Sequence, residues 1–198
     1  GDAYRSSGMI IAGFFFSPTL LGLYGVLDKI IILIQNLFVV VYRGIFPGVA
    51  ANIQSNINGI QHLYRAYYYK FGILTLLGII GLIGFGDDAI HWLSEEIPKD
   101  IDNYLLFMAI IPVFFYLSVP VSVNLVAFDY KKQYLKYNLT SAASFILLSL
   151  ILADSMQLTG LLISHLLALL FSAVMGYYYN LAMKLPLGFK QSIKRTEP

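Results

Sequence analysis

The sequence predicts an all-α, polytopic membrane helix bundle of about six transmembrane helices, the first of them truncated. Three observations carry that reading. Of the 198 residues, 58% are hydrophobic and only 12% are charged, about half the charge fraction of a soluble domain. Mean hydropathy is +0.72, and aromatics at 15% exclude a disordered chain. Apolar runs of about 20 residues, long enough to cross the hydrocarbon at the helix rise, fit five or six times into this length. The net charge of +2 is too small to imply nucleic acid. With no cysteine there is no disulfide framework, no thiol chemistry and no Cys-based metal site.

The elements follow in order. The sequence opens on Gly1-Asp2, and the first apolar run, Met9 to Phe16, follows Arg5, Ser6 and Ser7. Without a basic n-region or cleavage site it is not a signal peptide. A run this short cannot cross a bilayer, so the expectation is a helix that starts upstream and a chain that is a fragment. Ser17-Pro18-Thr19 is a turn, with proline placed to open the next helix. The second span covers about Leu20 to Val49, longer than a bilayer needs, and a polar stretch from Asn52 to Arg65 follows it. The third span is about Phe71 to Phe85. In the loop Asp87 to Asp102, the segment Ala89 to Glu96 reads as a short interfacial helix anchored by Trp92. The fourth span, about Tyr104 to Phe128, contains Pro112 and Pro120. The fifth runs from about Leu135 to Ala153 and the sixth from Leu158 to Met183. Residues 1–184 thus form one six-helix lobe, and 185–198 a basic tail.

Orientation follows from the placement of Lys and Arg. The loops after the second and fourth spans, together with the tail, carry Arg65, Lys70, Lys131, Lys132, Lys136, Lys184, Lys190, Lys194 and Arg195, whereas the opposite loops carry only Lys99. This asymmetry predicts a cytoplasmic C-terminus. The opposite loops hold Asp87, Asp88, Glu95, Glu96, Asp100, Asp102 and Asp154. The small net charge therefore conceals a basic inner face and an acidic outer one.

Polar residues at membrane depth concentrate on the second span. At about 100° per residue from Asp28, Tyr24 and Tyr42 lie near −40°, Gln35 near −20°, Arg43 near +60°, Asn36 near +80° and Lys29 near +100°. These residues share an arc of about 140° on a helix otherwise made of Leu, Ile, Val and Phe. An ionisable group deep in lipid costs about 2.5–3.5 kcal/mol on insertion scales, so such a group normally faces a bundle interior or a watery cavity. One reading is a translocation cavity holding a polar, anionic substrate, with Asp28 a proton-coupling carboxylate. The other is that Asp28 and Lys29 neutralise each other or neighbouring helices while Arg43 snorkels to the headgroups. Arg5 is either a further residue at membrane depth or an ordinary flanking cation.

Weaker signals lie elsewhere. His165 on the last span is either a proton relay or a packing histidine. Gly72, Thr75, Gly78, Gly81 and Gly84 recur at three- and four-residue steps, a pattern of close helix packing. Pro112 and Pro120, with Ser118, Ser122 and Asn124, suggest a kinked helix, mobile or static. Tyrosines 67–69 and 177–179 read as an interfacial belt. Enzyme signatures are missing: the sequence holds no Walker A loop, no G-x-G-x-x-G and no H-E-x-x-H. His62, His91 and His165 fall on different segments, which argues against a metal site. Asp87-Asp88, the one acidic pair in a loop beside a glycine, reads as a solvated turn.

The stretch Ile10-Ile11-Ala12-Gly13-Phe14-Phe15-Phe16-Ser17-Pro18-Thr19, then Leu21-Gly22-Leu23-Tyr24 and Leu27-Asp28-Lys29-Ile30, resembles the polysaccharide flippases (Wzx type, O-antigen transporters) at the end of their helix seven and start of helix eight. Ile45-Phe46-Pro47-Gly48-Val49 resembles the element closing helix eight. These motifs cover about 50 residues; the remainder matches by helix count and spacing. The family belongs to the multidrug/oligosaccharidyl-lipid/polysaccharide exporter superfamily, whose members have two six-helix lobes. The resemblance implies that this chain is the second lobe, partnered by a missing N-terminal six-helix lobe, in a bacterial inner membrane. It implies movement of an undecaprenyl-pyrophosphate-linked oligosaccharide such as O-antigen by alternating access through a cationic cavity. It further implies coupling to an ion gradient and association with the polysaccharide polymerase and chain-length machinery. No cofactor and no enzymatic activity are implied. The cavity residues expected from the helical wheel are Arg5, Tyr24, Asp28, Lys29, Gln35, Asn36, Tyr42 and Arg43, with Asp28 and His165 as candidates for ion coupling. Pyrophosphate calls for Arg or Lys partners, and sugar hydroxyls for Tyr, Asn and Gln. The rivals are a multidrug-type exporter, which needs an acidic cavity, a membrane polymerase or glycosyltransferase, which needs a large catalytic loop, and a non-transporting scaffold.

Overall fold

A computed structural model describes residues 2–53, 56–93 and 101–187, the side chains of 2–6, 89, 91–93 and 102 excepted. Several helix boundaries have a local cause. Ser17 leaves the helical conformation at φ −64°, ψ 157° and its hydroxyl accepts from the Leu20 N–H at 3.5 Å, while Pro18 occupies the first turn. Helix α1 (Asp2–Phe15) ends before this cap and α2 (Pro18–Asn52) begins after it. The Asn56 side chain accepts from the Gly59 N–H at 2.9 Å and so opens α3 (Ile57–Leu93). Helix α4 spans Ile101–Ala127, and Asp129 takes φ 63° in the tight turn to α5 (Lys131–Ala182). No strand occurs among the described residues.

The fifth helix is a hairpin. Gln157, at φ 47° and ψ −126°, interrupts it, and residues from either side of that position meet across the break. Phe145 lies edge-on to His165 with ring centroids 5.5 Å apart, and Gly176 abuts the Tyr137 ring. Each limb has about 25 residues, ~38 Å at the helix rise and enough to cross a bilayer. The six expected segments therefore correspond to α1, α2, α3, α4 and the two limbs of α5. Four of the helices, α2 to α5, are long and apolar enough to span a membrane. The protein is a membrane-embedded helix bundle.

Two expectations about α3 are corrected. The polar stretch after α2 is mostly helix rather than loop, because α3 already starts at Ile57. The separate interfacial helix does not form as read: residues 89–93 continue α3, with Ile90 fully buried, and Ser94, Glu95 and Glu96 lie outside the described residues. An α-helix in lipid loses nothing by continuing, since every backbone group is satisfied within it.

Helix α4 sits centrally, packed against α2, α3 and the α5 hairpin, and α1 packs on α5 and α2. Three clusters fill the interior. Toward the acidic Asp87 end, Leu27 and Ile31 of α2 meet Met108 and Ile111 of α4 and Leu158 and Leu161 of α5. Toward the basic Lys70 end, Val49, Ile60, Tyr64 and Val123 form a second cluster, and Leu125, Tyr137, Leu185 and Leu187 a third. Leu185, Pro186 and Leu187, read as the start of a free tail, are thus buried in the bundle. Outward, α2 and α3 expose Leu33, Leu37, Val40, Ile73, Leu76, Ile80 and Ile83, as helices facing hydrocarbon do.

Neither proline ends α4. Pro120 lacks an N–H and so frees the carbonyl four residues earlier. That carbonyl, Tyr116 O, accepts instead from the Tyr67 hydroxyl at 2.6 Å, and the Tyr116 hydroxyl donates back to Tyr68 O at 2.7 Å. Tyr67 is consequently buried and Tyr68 half-buried, while Tyr69 and Tyr178 point outward. Of these tyrosines, the outward exposure that a belt requires belongs to Tyr69 and Tyr178. Tyr67→Phe should lower stability by about 1–2 kcal/mol by leaving a membrane-buried carbonyl unpaired. Thermal unfolding in detergent measures it, and an unchanged midpoint would refute the assignment.

Candidate functional site

Helix α2 carries the polar residues singled out above, and packing divides them between two faces. Leu23, Tyr24, Leu27, Ile31 and Val49 are its buried residues, so the Tyr24 side of the wheel turns inward. Tyr24 itself is buried in the first cluster, edge-on to Phe16 with centroids 6.4 Å apart. Asp28 and Gln35 are half-buried one and three turns on. Together with Phe145 and His165 of α5, these residues line one small cavity of about 20 Å³, room for about one water molecule. The two residues named for ion coupling, Asp28 and His165, come from helices far apart in sequence and share this cavity. Phe145 was not foreseen, because one phenylalanine in an apolar helix carries no pattern of its own.

The other face of α2 is different. Lys29, Asn36 and Arg43 are all exposed and recur at seven-residue intervals. At the helix rise and turn this spacing makes a single row about 21 Å long. Exposed Leu33 and Val40 flank it, so the row is a polar track on an apolar surface at membrane depth. Tyr42 stands apart from both sets, half-buried and stacked on Phe46 with centroids 6.0 Å apart. The Arg5 side chain lies outside the described residues. The structure therefore resolves the single 140° arc into a small inward pocket (Tyr24, Asp28, Gln35) and an outward row (Lys29, Asn36, Arg43).

A buried polar knot was legible only in part. Asn124, fully buried on α4, accepts from the Tyr64 hydroxyl at 2.6 Å. Its amide donates to Asn180 Oδ1 at 2.8 Å and to Pro186 O at 2.7 Å. Asn180 donates to Gly176 O at 2.9 Å. The knot ties α3, α4, α5 and the 185–187 segment at the basic end. Asn124 drew notice beside the prolines, but its partners did not. An asparagine within an apolar span was the available signal in both helices, since such a residue needs a partner in lipid.

A second space opens between α2 and α3. It is an apolar groove of about 340 Å³ lined from Ile30 to Val41 on α2 and from Phe71 to Gly86 on α3, with Pro112 at its floor. The glycines here correct the close-packing expectation. A Cβ built at Gly78, Gly81 or Gly84 meets nothing within 4 Å; of the four glycines in that pattern only Gly72 approaches a neighbour, the Tyr116 side chain, and Gly86 beyond them meets Leu105. No group of three or more metal-ligating side chains occurs among the described residues. No protein-family model, curated protein or solved structure matches the chain.

Proposed function

We propose that the chain is one lobe of a flippase that carries an undecaprenyl-pyrophosphate-linked oligosaccharide across a bacterial inner membrane, with the basic end in the cytoplasm. The observation that carries this reading is the exposed Lys29–Asn36–Arg43 row. A cation facing plain hydrocarbon costs about 2.5–3.5 kcal/mol at mid-membrane, and two on one row of one helix need a polar counterpart. A second lobe across a water-filled cavity supplies the water, and a diphosphate supplies the counter-charge. Asn36 between the cations offers the donor and acceptor that sugar hydroxyls require. The row has no carboxylate, which weighs against an exporter of cationic drugs.

In this scheme the inward pocket and the exposed row have separate duties. The row binds the anionic head, and the pocket holding Asp28 and His165 exchanges a coupling proton where α2 meets the α5 hairpin. Lys29→Ala and Arg43→Ala should each reduce export of lipid-linked repeat units at least fivefold at normal protein level, with intermediates accumulating in the inner leaflet. Surface polysaccharide measured in cells that depend on the protein reads the effect. Undiminished polysaccharide in both variants would sink the proposal.

A further inference from the structure

The α2–α3 groove has the dimensions of a single hydrocarbon chain. Its 340 Å³ is spread along Ile30–Val41 and Phe71–Gly86, lengths of roughly 16–22 Å at the helix rise, so its mean cross-section is about 15–20 Å². Carbon atoms in contact lie about 4 Å apart, so one chain fills such a slot. A helix, about 10–12 Å across, does not fit. Thr75 is the one polar side chain of the lining, and its hydroxyl already donates to Phe71 O at 2.7 Å. No side-chain donor of the lining is left free for a polar ligand.

Charge gives the slot a direction. Lys70 adjoins the lining residue Phe71 and Asp88 lies two residues beyond Gly86; both are exposed. Their separation of about five helical turns places them on the same edge of α3. An anionic headgroup is therefore favoured at the Lys70 end and repelled at the Asp88 end. We infer that the groove seats the tail of a single-chain isoprenoid phosphate whose head lies at Lys70, in the leaflet from which transport begins. A two-chain phospholipid would leave one chain outside. The inference rests on the flippase reading, in which the tail must stay in the hydrocarbon while the head crosses.

The test is photo-crosslinking in phosphatidylcholine nanodiscs with a polyprenyl diphosphate bearing a diazirine on its tail. Label should map to residues 30–41 and 71–86. Gly78→Leu combined with Gly81→Leu places two side chains in the slot at positions where a Cβ meets no atom, and should cut labelling at least fivefold. Gly84→Leu, at a position where a Cβ also meets no atom but outside the lining, should leave it unchanged. Lys70→Ala should weaken capture of the diphosphate about threefold and that of the uncharged polyprenol not at all. Labelling that survives slot filling, or that excess phosphatidylglycerol abolishes as well as unlabelled polyprenyl diphosphate does, overturns the inference. Because capture is read without transport, the two proposals fail separately. A labelled groove with export indifferent to Lys29 and Arg43 removes the flippase reading, and an unlabelled groove with export dependent on them removes the groove.

Discussion

Gly160→Ala is expected to destabilise the bundle by about 3 kcal/mol or more, a large effect for a single methyl group. Gly160 lies just past the break at Gln157, where the α5 limbs are closest. A Cβ there would collide with the Leu152 carbonyl oxygen, and would lie 2.7 Å from the carbonyl carbon and 3.2 Å from the Leu152 Cβ. The obstacle is backbone, so no rotamer change relieves it. The limbs would have to separate, which undoes the packing of Leu158, Leu161 and Leu162 against α4. The Ser164 hydroxyl, which donates to Gly160 O at 2.7 Å, would move with them. Gly84→Ala is the matched control: its Cβ meets nothing, and alanine is the better helix former by about 1 kcal/mol. Denaturant titration of the reconstituted protein should separate the variants by several kcal/mol. Equal midpoints would show that the limbs do not meet as described.

Asn124→Leu follows, with an expected loss of about 2–4 kcal/mol. Interhelical hydrogen bonds in membranes average about 0.6 kcal/mol, with single cases near 1.7. This substitution removes three at once and strands the Tyr64 hydroxyl, Asn180 Oδ1 and Pro186 O in an interior that cannot rehydrate them. The effect has a spatial signature, because among the described residues Asn124 is the side chain that fastens Pro186. Backbone amides at 185 and 187 should exchange faster in the variant, while those around Met108 at the other end of α4 stay protected. Asn138→Leu provides the comparison, since Asn138 is exposed and bonds only within its own helix, to Tyr134 O at 2.8 Å. A loss no larger than that of Asn138→Leu would show that the knot does not hold the helices.

Much of the architecture was legible because lipid admits few solutions. Each apolar run had to become a helix, and the cap at Ser17-Pro18 marked its own position. Boundaries failed where polarity was equated with loop. The stretch from Ile57 to Arg65 is polar and still helical, because a helix emerging from the membrane needs no apolar residues to continue. The candidate site shows the same division. Periodicity on α2 placed Tyr24, Asp28, Gln35, Lys29, Asn36 and Arg43 on one arc, which required only the helical repeat. That the arc divides between an inward pocket and an exposed row depends on where α4 and α5 lie.

The sequence by itself determined a membrane helix bundle, its segments and the residues of α2 that are costly in hydrocarbon. These follow from length, apolarity and a 100° repeat, all of them local quantities. Tertiary structure alone decided three matters: that His165 joins Asp28 in one cavity, that Asn124 binds Asn180 and Tyr64, and that Gly78 and Gly81 border empty space rather than a neighbouring helix. The physical reason is common to all three. In lipid, apolar residues are equally content against a helix or against hydrocarbon, so hydrophobicity does not choose partners. Steric fit and hydrogen bonds across helices choose them, and both depend on residues far apart in the chain.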